Sequence, residues 1–279
     1  MLEQFCAFLV DQGKAENTLS SYRQAVGDYM KWYEATFGEP MEQLYRINVL
    51  DYISYLRTVK KLSNRSINAK LSALQSFNLY LNEAGVQTDT VVSERDHLKV
   101  QIAYANPSTI SRDQVEAFRQ RLLVGSGTRD YAIATILAYA GLRISECLDL
   151  YPEDVSLTAK EITVQHGKNG KSRVVFIGDK VVNAVREYLK ERPDTGSPYL
   201  FISRMGDHLT RGQVNRIFNK YSKTIKPHSL RHFFCSEAIA VGGYSIDEVA
   251  NQAGHSNVHT TLLYTNPTRE RMKEKANRL

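Results

Sequence analysis

The chain has 279 residues, enough for two ordinary domains, and 42% of them are hydrophobic, so each half can form a core. No run approaches the roughly 18 apolar residues of a membrane span, and the first residues carry Glu3 and Asp11 where a signal peptide has a positive leader. The three cysteines are far apart and form no CxxC pair, so neither a zinc site nor a disulfide framework is indicated. We expect a cytoplasmic protein.

Charge is divided unevenly along the chain, which has a formal net charge of +6 and a pI near 9.1. Residues 1–100 carry 11 Lys/Arg and 12 Asp/Glu, whereas residues 101–279 carry 25 and 18. A basic half is typical of proteins that bind a polyanion such as nucleic acid. Taken alone the excess is a weak indication, because many ordinary proteins are equally basic.

The first hundred residues have the apolar periodicity of helices. Asn17 or Thr18 is the expected N-cap of the second helix; Ser63 is expected to cap the fourth helix and Gly85 to end it. We therefore predict a small helical bundle over residues 1–88. Its predicted helices cover FCAFLV, ENTLSSYRQAVGDYMKWYEATFG, INVLDYISYLRTV and SNRSINAKLSALQSFNLYLNEAG.

The periodicity is lost over residues 89–111, which are polar, contain Pro107 and are predicted to be an interdomain linker. Residues 112–279 form the predicted second domain, with a long apolar helix interrupted at Gly141. EITVQHGKNGKSRVVFIG alternates like two strands around a turn, which predicts a β-hairpin. The fold class is thus mainly α with a small β-hairpin or sheet. Further helices are predicted over SRDQVEAFRQRLL, DKVVNAVREYLKER, RGQVNRIFNKYS, HSLRHFFCSEAIAVG, SIDEVANQAG and PTRERMKEKANRL.

Four short stretches of the second domain carry groups that suit phosphate chemistry: GLRISE, GKNGKSR, HSLRH and AGHSNVHTTLLYTN. Each has an ordinary explanation by itself: a salt-bridged arginine, a solvated turn, a chance helix pair or a packed tyrosine. Their combination and order are not expected by chance. In chain order they contribute Arg143 and Glu146, then Lys168, Lys171 and Arg173, then His228 and Arg231, then His255 and Tyr264.

This order resembles the tyrosine recombinases, also called the lambda-integrase family, and the nine-residue step from His255 to Tyr264 matches the family pattern. NTLSSYRQAVGDYMKWY and SINAKLSALQSFNLYL resemble the family's SAM-like core-binding domain, so the resemblance covers the whole chain. One departure is Ala253, where the family often has Leu before Gly-His. The compact size is similar to Xer and Cre proteins and to TnpI-type transposon recombinases, which resolve cointegrates.

The resemblance agrees with the chemistry of a phosphodiester, whose pentavalent transition state gathers negative charge. Arginine suits this charge because its planar fork binds two oxygens and stays protonated. Arg143 and Arg231 are therefore expected to clamp the nonbridging oxygens, with Glu146 orienting the Arg or His groups. The resemblance implies that Tyr264 is the nucleophile, which forms a 3′-phosphotyrosine and releases a 5′-hydroxyl.

Proton transfers are assigned to the remaining motif residues. His228 is expected to accept the proton of the tyrosine, and His255 to hydrogen-bond the phosphate or the leaving group. Lys168 matches the family's general acid, and Lys171 stays open as the alternative. No cofactor motif is present, and two arginines supply charge that a metal supplies elsewhere, so neither cofactor nor metal is expected.

DNA contacts are expected at helix starts of the first domain and in the hairpin. Helix starts expose backbone N–H groups that favour phosphate, although capping and solvation explain the same residues equally well. The candidates are Asn17, Thr18, Ser21, Tyr22, Asn64, Arg65, Ser66, Asn68, Lys70, Lys171 and Arg173.

The resemblance implies a site-specific recombinase that exchanges strands sequentially through a Holliday junction. Its partners would be double-stranded DNA with an inverted-repeat core site and further copies of the chain, in a tetramer joined through the C-terminal helix. Folding of that helix onto its own domain stays open, as do an accessory protein, a second recombinase, and the choice among resolution, integration and inversion. The alternatives are a type IB topoisomerase-like relaxing enzyme and an inactive DNA-binding architectural protein.

Overall fold

The computed structural model describes residues 1–100, 110–165, 172–255 and 277. The chain divides into two compact units, Met1–Ile102 and Ala103–Leu279, each with its own hydrophobic core. Both units are mainly helical, and the described sheet is small, so the predicted fold class is confirmed. Within the described ranges, no helix combines the length and the apolar character needed to cross a membrane.

The first unit is a helical bundle whose apolar faces meet in one core. One face of α4 (Asn64–Glu83) is buried and carries Ile67, Leu71, Leu74 and Leu81. In α2 (Glu16–Phe37), the buried residues Val26, Tyr29 and Tyr33 face the same core. Its helices are α1 (Leu2–Asp11), α2 (Glu16–Phe37), α3 (Arg46–Thr58) and α4 (Asn64–Glu83), and a 3₁₀ turn follows at Glu94–Asp96.

Helix ends in this unit show where capping was predictable. The Ser63 side chain accepts a hydrogen bond from the Ser66 backbone N–H at 3.2 Å, which confirms it as the N-cap of α4. Gly85 follows that helix with φ +69°, a left-handed conformation that glycine adopts without strain. The prediction for α2 was wrong: the helix already begins at Glu16 after Ala15, so Asn17 and Thr18 lie in its first turn.

Residues after α4 are fastened to it by one buried amide. Asn78 is 2% exposed; its Oδ1 accepts from the N–H groups of Val91 at 2.7 Å and Val92 at 3.1 Å, and its Nδ2 donates to the Asp89 carbonyl at 2.9 Å. Val92 is itself buried in the core of the first unit. This stretch of the predicted linker is therefore packed onto the helical bundle.

The centre of the second unit is the apolar helix α6 (Thr128–Tyr139), which packs against other helices on several sides. At the start of α5 (Arg112–Gly125), the Ser111 hydroxyl accepts from the Gln114 backbone N–H, and Gln114 Oε1 accepts from the Ser111 backbone N–H. This capping box confirms the predicted start of the helix. The predicted interruption at Gly141, where φ is +70°, is confirmed. Its helices are α5 (Arg112–Gly125), α6 (Thr128–Tyr139), α7 (Ile144–Leu148), α8 (Asp179–Glu191), α9 (Arg211–Tyr221), α10 (Pro227–Ala240) and α11 (Ile246–Ala253).

The sheet of the second unit contains the predicted hairpin strands and one short strand more. β2 (Glu161–Val164) and β3 (Arg173–Phe176) are antiparallel, with Val164 opposite Arg173. β1 (Val155–Ser156) precedes them, and the order is β1-β2-β3. β3 therefore lies at an edge of the sheet, where α11 packs against it.

Candidate active site

Arg143 is positioned by the turn that separates α6 from α7. A Cβ at Gly141 would lie 2.2 Å from the Phe234 ring, so glycine allows α10 to pack directly against this turn. Arg143 then becomes the N-cap of α7, and its backbone N–H donates to Glu146 Oε2 at 2.8 Å. Its side chain bonds Glu146 Oε1 through Nη1 at 2.7 Å and the Gly254 carbonyl through Nη2 at 2.5 Å.

Arg231 reaches the same turn from α10. Its Nη1 donates to the Gly141 carbonyl at 2.5 Å, and the residue is only 5% exposed. Burial, followed by the charge of Arg143, lowers the pKa of Arg231 to about 10, so the guanidinium stays protonated at neutral pH. The two arginines predicted to be catalytic therefore lie close together, with Arg231 bonded to the turn from which Arg143 extends.

Glu146 connects Arg143 to the hairpin. Its carboxylate accepts two bonds from Arg173, Nη1 to Oε1 at 3.0 Å and Nη2 to Oε2 at 2.9 Å. Burial alone would raise the pKa of Glu146, but the hydrogen bonds and charge of Arg173, followed by those of Arg143, hold it below its ordinary value. The carboxylate is thus ionised and shared between two arginines.

Arg173 was expected to contact DNA, and in the structure its guanidinium is engaged inside the unit. Besides Glu146 it bonds the Gln252 carbonyl at 3.2 Å and the Ala253 carbonyl at 3.3 Å, and its side chain is 12% exposed. The Gln252 side-chain amide also bonds β3: its Oε1 accepts from the Phe176 N–H, and its Nε2 donates to the Phe176 carbonyl. β3 and the end of α11 are therefore joined in both directions.

Three histidines lie near these arginines. Burial, then the charges of Arg231 and Arg143, lowers the pKa of His255 to about 4. Burial, followed by the charge of Arg231, also lowers the pKa of His228. The ring centroid of His228 lies 4.1 Å from that of His232, and burial lowers the pKa of His232 to about 4. All three imidazoles are thus neutral at pH 7, so His228 is able to accept a proton.

The remaining catalytic candidates lie outside the described residues. Lys168 and Lys171 belong to the stretch 166–171, and Tyr264 belongs to 256–276, as does nearly all of the predicted C-terminal helix. The described strands lead into the first stretch, and His255 leads into the second.

Several DNA candidates of the first unit bond other parts of that unit. Asn68 donates to the Leu98 carbonyl at 2.9 Å and accepts from its N–H at 2.8 Å. Asn64 donates to the Lys99 carbonyl at 2.9 Å, and Lys70 pairs with Asp28 at 2.7 Å. The others lie on exposed or partly exposed positions at the starts of α2 and α4, namely Asn17, Thr18, Ser21, Tyr22, Arg65 and Ser66.

Sequence reasoning missed the outer face of α9 as a candidate DNA contact. Val214 and Phe218 are buried, which turns the opposite side of this helix to solvent. The missed signal was the helical spacing of basic and amide residues within RGQVNRIFNKY. The exposed residues of this face are Arg211, Asn215, Arg216, Asn219 and Lys220.

Comparisons with known proteins agree with these motifs. Residues 108–271 match the model of the phage integrase family, and residues 1–87 match the phage integrase N-terminal SAM-like domain. TnP I resolvase of Bacillus thuringiensis is 47% identical over 98% of this chain and 97% of its own length. Tyrosine recombinase XerA of Pyrococcus horikoshii is 31% identical over 98% of this chain and 91% of its own length.

The fold also matches a solved structure, the Tn1549 transposon integrase in complex with a circular intermediate DNA. The TM-score is 0.72 at 21% identity, over 100% of this chain and 99% of that one. The family matches and the two relatives support site-specific DNA recombination, and they do not favour a topoisomerase-like or an architectural protein. The chain belongs to the phage integrase family and is a tyrosine recombinase of the TnpI type, an enzyme of site-specific DNA recombination.

Proposed function

We propose that the chain cleaves DNA at a phosphate held by Arg143 and Arg231. The observation that carries this assignment is that, beyond the effect of burial, the two guanidiniums lie close enough for the charge of Arg143 to lower the pKa of Arg231, and the charges of both to lower that of His255. Arg231 bonds the Gly141 carbonyl, and Arg143 bonds the carbonyl of Gly254 next to His255. Fixed positive groups in a buried site stabilise the charge that develops on the nonbridging oxygens. His255, which is neutral in the unbound protein, donates a hydrogen bond to the phosphate or to the leaving oxygen.

The covalent step follows from the family chemistry. The Tyr264 oxygen bonds to phosphorus while the bond from phosphorus to the 5′-oxygen breaks, which leaves a 3′-phosphotyrosine and a 5′-hydroxyl. His228 takes the phenolic proton: burial lowers the pKa of its imidazole in the unbound protein, so the ring is in the neutral form that has a nitrogen able to accept. Lys168 protonates the leaving 5′-oxygen, with Lys171 as the alternative donor. The 5′-hydroxyl of another strand then attacks phosphorus, the bond from phosphorus to the Tyr264 oxygen breaks, and the DNA is resealed.

The substrate is a duplex core site with inverted repeats, and the chain contacts it with a SAM-like domain, residues 1–88, and with a catalytic domain, residues 112–279. Contacts with phosphate or base edges come from the exposed starts of α2 and α4 and from the basic face of α9. A tetramer on two sites, joined through the C-terminal helix, exchanges strands in turn through a Holliday junction. The TnP I relative is a resolvase, and we propose resolution of DNA in the cytoplasm as the role of this chain.

The test begins with a DNA site that the protein selects from a duplex library by repeated binding. A nick placed just 3′ of the candidate scissile phosphate lets a short fragment leave and traps the protein on the DNA. The chain and its Tyr264→Phe variant are incubated with this duplex in EDTA and run on a denaturing gel. We expect a covalent band with the unaltered chain and none with the variant.

Two other results would change the assignment. A band of equal strength with Tyr264→Phe would show that another residue attacks. Binding on a native gel without any covalent band from the unaltered chain would contradict cleavage at that site. A supercoiled plasmid with two directly repeated copies of the selected site adds the outcome of the reaction, because recombination between them yields two circles whereas relaxation alone yields one.

A further inference from the structure

Arg173 is held by four hydrogen bonds that account for most of its donors. A guanidinium has five N–H groups. Nη1 and Nη2 bond the two oxygens of Glu146, Nη2 also bonds the Ala253 carbonyl, and Nε bonds the Gln252 carbonyl. The Arg173 side chain is 12% exposed, and its hydrogen bonds go to groups of the protein. Few of its N–H groups are left for a DNA phosphate.

The charges of this cluster do not cancel in pairs. One buried carboxylate, Glu146, contacts two guanidiniums, those of Arg143 and Arg173. Without Arg173, Glu146 and Arg143 would form a neutral pair, and the carboxylate would offset the positive charge that Arg143 presents to a phosphate. With Arg173 in place, the cluster keeps one net positive charge and Glu146 still orients Arg143.

Arg173 also supports the backbone that Arg143 bonds. Its guanidinium packs on Gly254 so closely that a Cβ there would lie 2.6 Å from Cζ. The carbonyl of the same Gly254 accepts from Arg143 Nη2 at 2.5 Å. One arginine of the hairpin therefore fixes both the carboxylate and the carbonyl that hold the other arginine in place.

We propose that Arg173 is a positioning residue which balances the charge of Glu146, so that Arg143 keeps its positive charge for the scissile phosphate. This inference rests on the proposed role of Arg143 in cleavage. It makes Arg173 part of the reaction without contact between Arg173 and the DNA.

The test compares Arg173→Met, Arg173→Lys and the double variant Arg173→Met with Glu146→Gln. Single-turnover cleavage is measured on the nicked duplex, and DNA affinity is measured over a range of salt concentrations. Arg173→Met is expected to cleave at least about tenfold more slowly, with affinity and its salt dependence close to those of the unaltered chain. Arg173→Lys keeps the charge and is expected to lose less.

The double variant separates charge balance from other roles of the side chain. Removing the carboxylate together with its partner leaves Arg143 positive, so the double variant is expected to cleave several-fold faster than Arg173→Met. If Arg173→Met fails to fold because it buries an unpaired carboxylate, the double variant carries the test alone. A folded double variant that cleaves several-fold faster than Arg173→Met, or that cleaves where Arg173→Met does not fold, supports the proposal. A folded double variant that is no faster than Arg173→Met, or that does not cleave, overturns it.

A matched control is Arg192→Met. Arg192 also bonds backbone carbonyls of this unit, those of Ser197, Tyr199 and Leu200 at 2.9, 2.7 and 3.1 Å. Its loss is expected to lower stability while folded protein cleaves normally.

Two further results would overturn the proposal. One is unaltered cleavage by Arg173→Met. The other is a weaker affinity whose logarithmic salt slope falls by about one, the signature of a lost phosphate contact. Failure of the unaltered chain to form the Tyr264 adduct would instead count against the proposed function.

A neutral phosphate provides an independent readout. On a duplex with a methylphosphonate at the scissile position, less charge develops, so a defect that arises from lost positive charge is expected to shrink. An equal defect of Arg173→Met on both duplexes would contradict charge balance.

Discussion

Gly254 offers a direct perturbation of the cluster around Glu146. It ends α11 with φ +68°, and Cζ, Nη1 and Nε of Arg173 lie 2.6, 2.7 and 2.9 Å from the place where a Cβ would be. Gly254→Ala therefore changes two things at once. Alanine in a left-handed conformation costs about 1–2 kcal/mol, and the methyl group forces the Arg173 guanidinium away from its partners.

The second effect has a magnitude that the contacts allow us to work out. Hydrogen bonds to charged groups contribute about 1.5–3 kcal/mol each, and a displaced guanidinium loses at least one of its two bonds to Glu146. The free energy of unfolding of the second unit should therefore fall by about 3 kcal/mol or more in total. If Arg143 shifts with Glu146, cleavage should slow at least about tenfold, since about 1.4 kcal/mol in the barrier is a factor of ten.

Gly243→Ala is the matched control for backbone strain. Gly243 has φ +73°, and nothing lies within 4 Å of the place where its Cβ would be. We expect a loss of about 1–2 kcal/mol in urea denaturation and normal single-turnover cleavage. Equal stability and equal cleavage rates in the two alanine variants would refute the reasoning.

Two further predictions concern stability. Asn78→Ala removes three bonds to the backbone of Asp89, Val91 and Val92 and should lower the free energy of unfolding of the first unit by about 3 kcal/mol. In urea denaturation, a loss no larger than that of the exposed Asn17→Ala would contradict it. His232 and His255 have pKa values of about 4 in the folded protein, whereas an unfolded histidine titrates near pH 6.5, so the unfolded chain binds more protons between these values. The melting temperature should therefore fall as pH is lowered from about 6.5 to 4, and less so in His232→Asn; an identical pH profile in that variant would count against the assignment.

The helices were predictable because their signals are local. Apolar spacing set the buried faces of α4, and Ser63 and Ser111 each bond a backbone N–H three residues on. The start of α2 was missed because several polar residues compete there, and Glu16 is a good helix former. β1 has two residues, too few for an alternating pattern to be recognised.

The candidate site was predictable in its members but only partly in its contacts. Order and spacing of the motifs indicated Arg143, Arg231 and His255, and the structure brings these three together. The place of Arg173 was not predictable, because its partners Glu146 and Gln252 lie 27 and 79 positions away along the chain. In the sequence, Arg173 follows Lys168 and Lys171, which is the pattern of a DNA-binding turn. Only the folded structure shows that its side chain bonds groups within the unit.

The amide of Gln252 also contacts the hairpin at one position of its register. It bonds the N–H and the carbonyl of Phe176, as a neighbouring strand would, on the open edge of β3. Exposed edges beside apolar side chains such as Val174 and Phe176 invite strand addition by other molecules, and this amide occupies the edge at one residue. A slip of β3 by one residue would turn Arg173 to the opposite face of the sheet. The contact that covers the edge is therefore made in the same register that directs Arg173 towards Glu146.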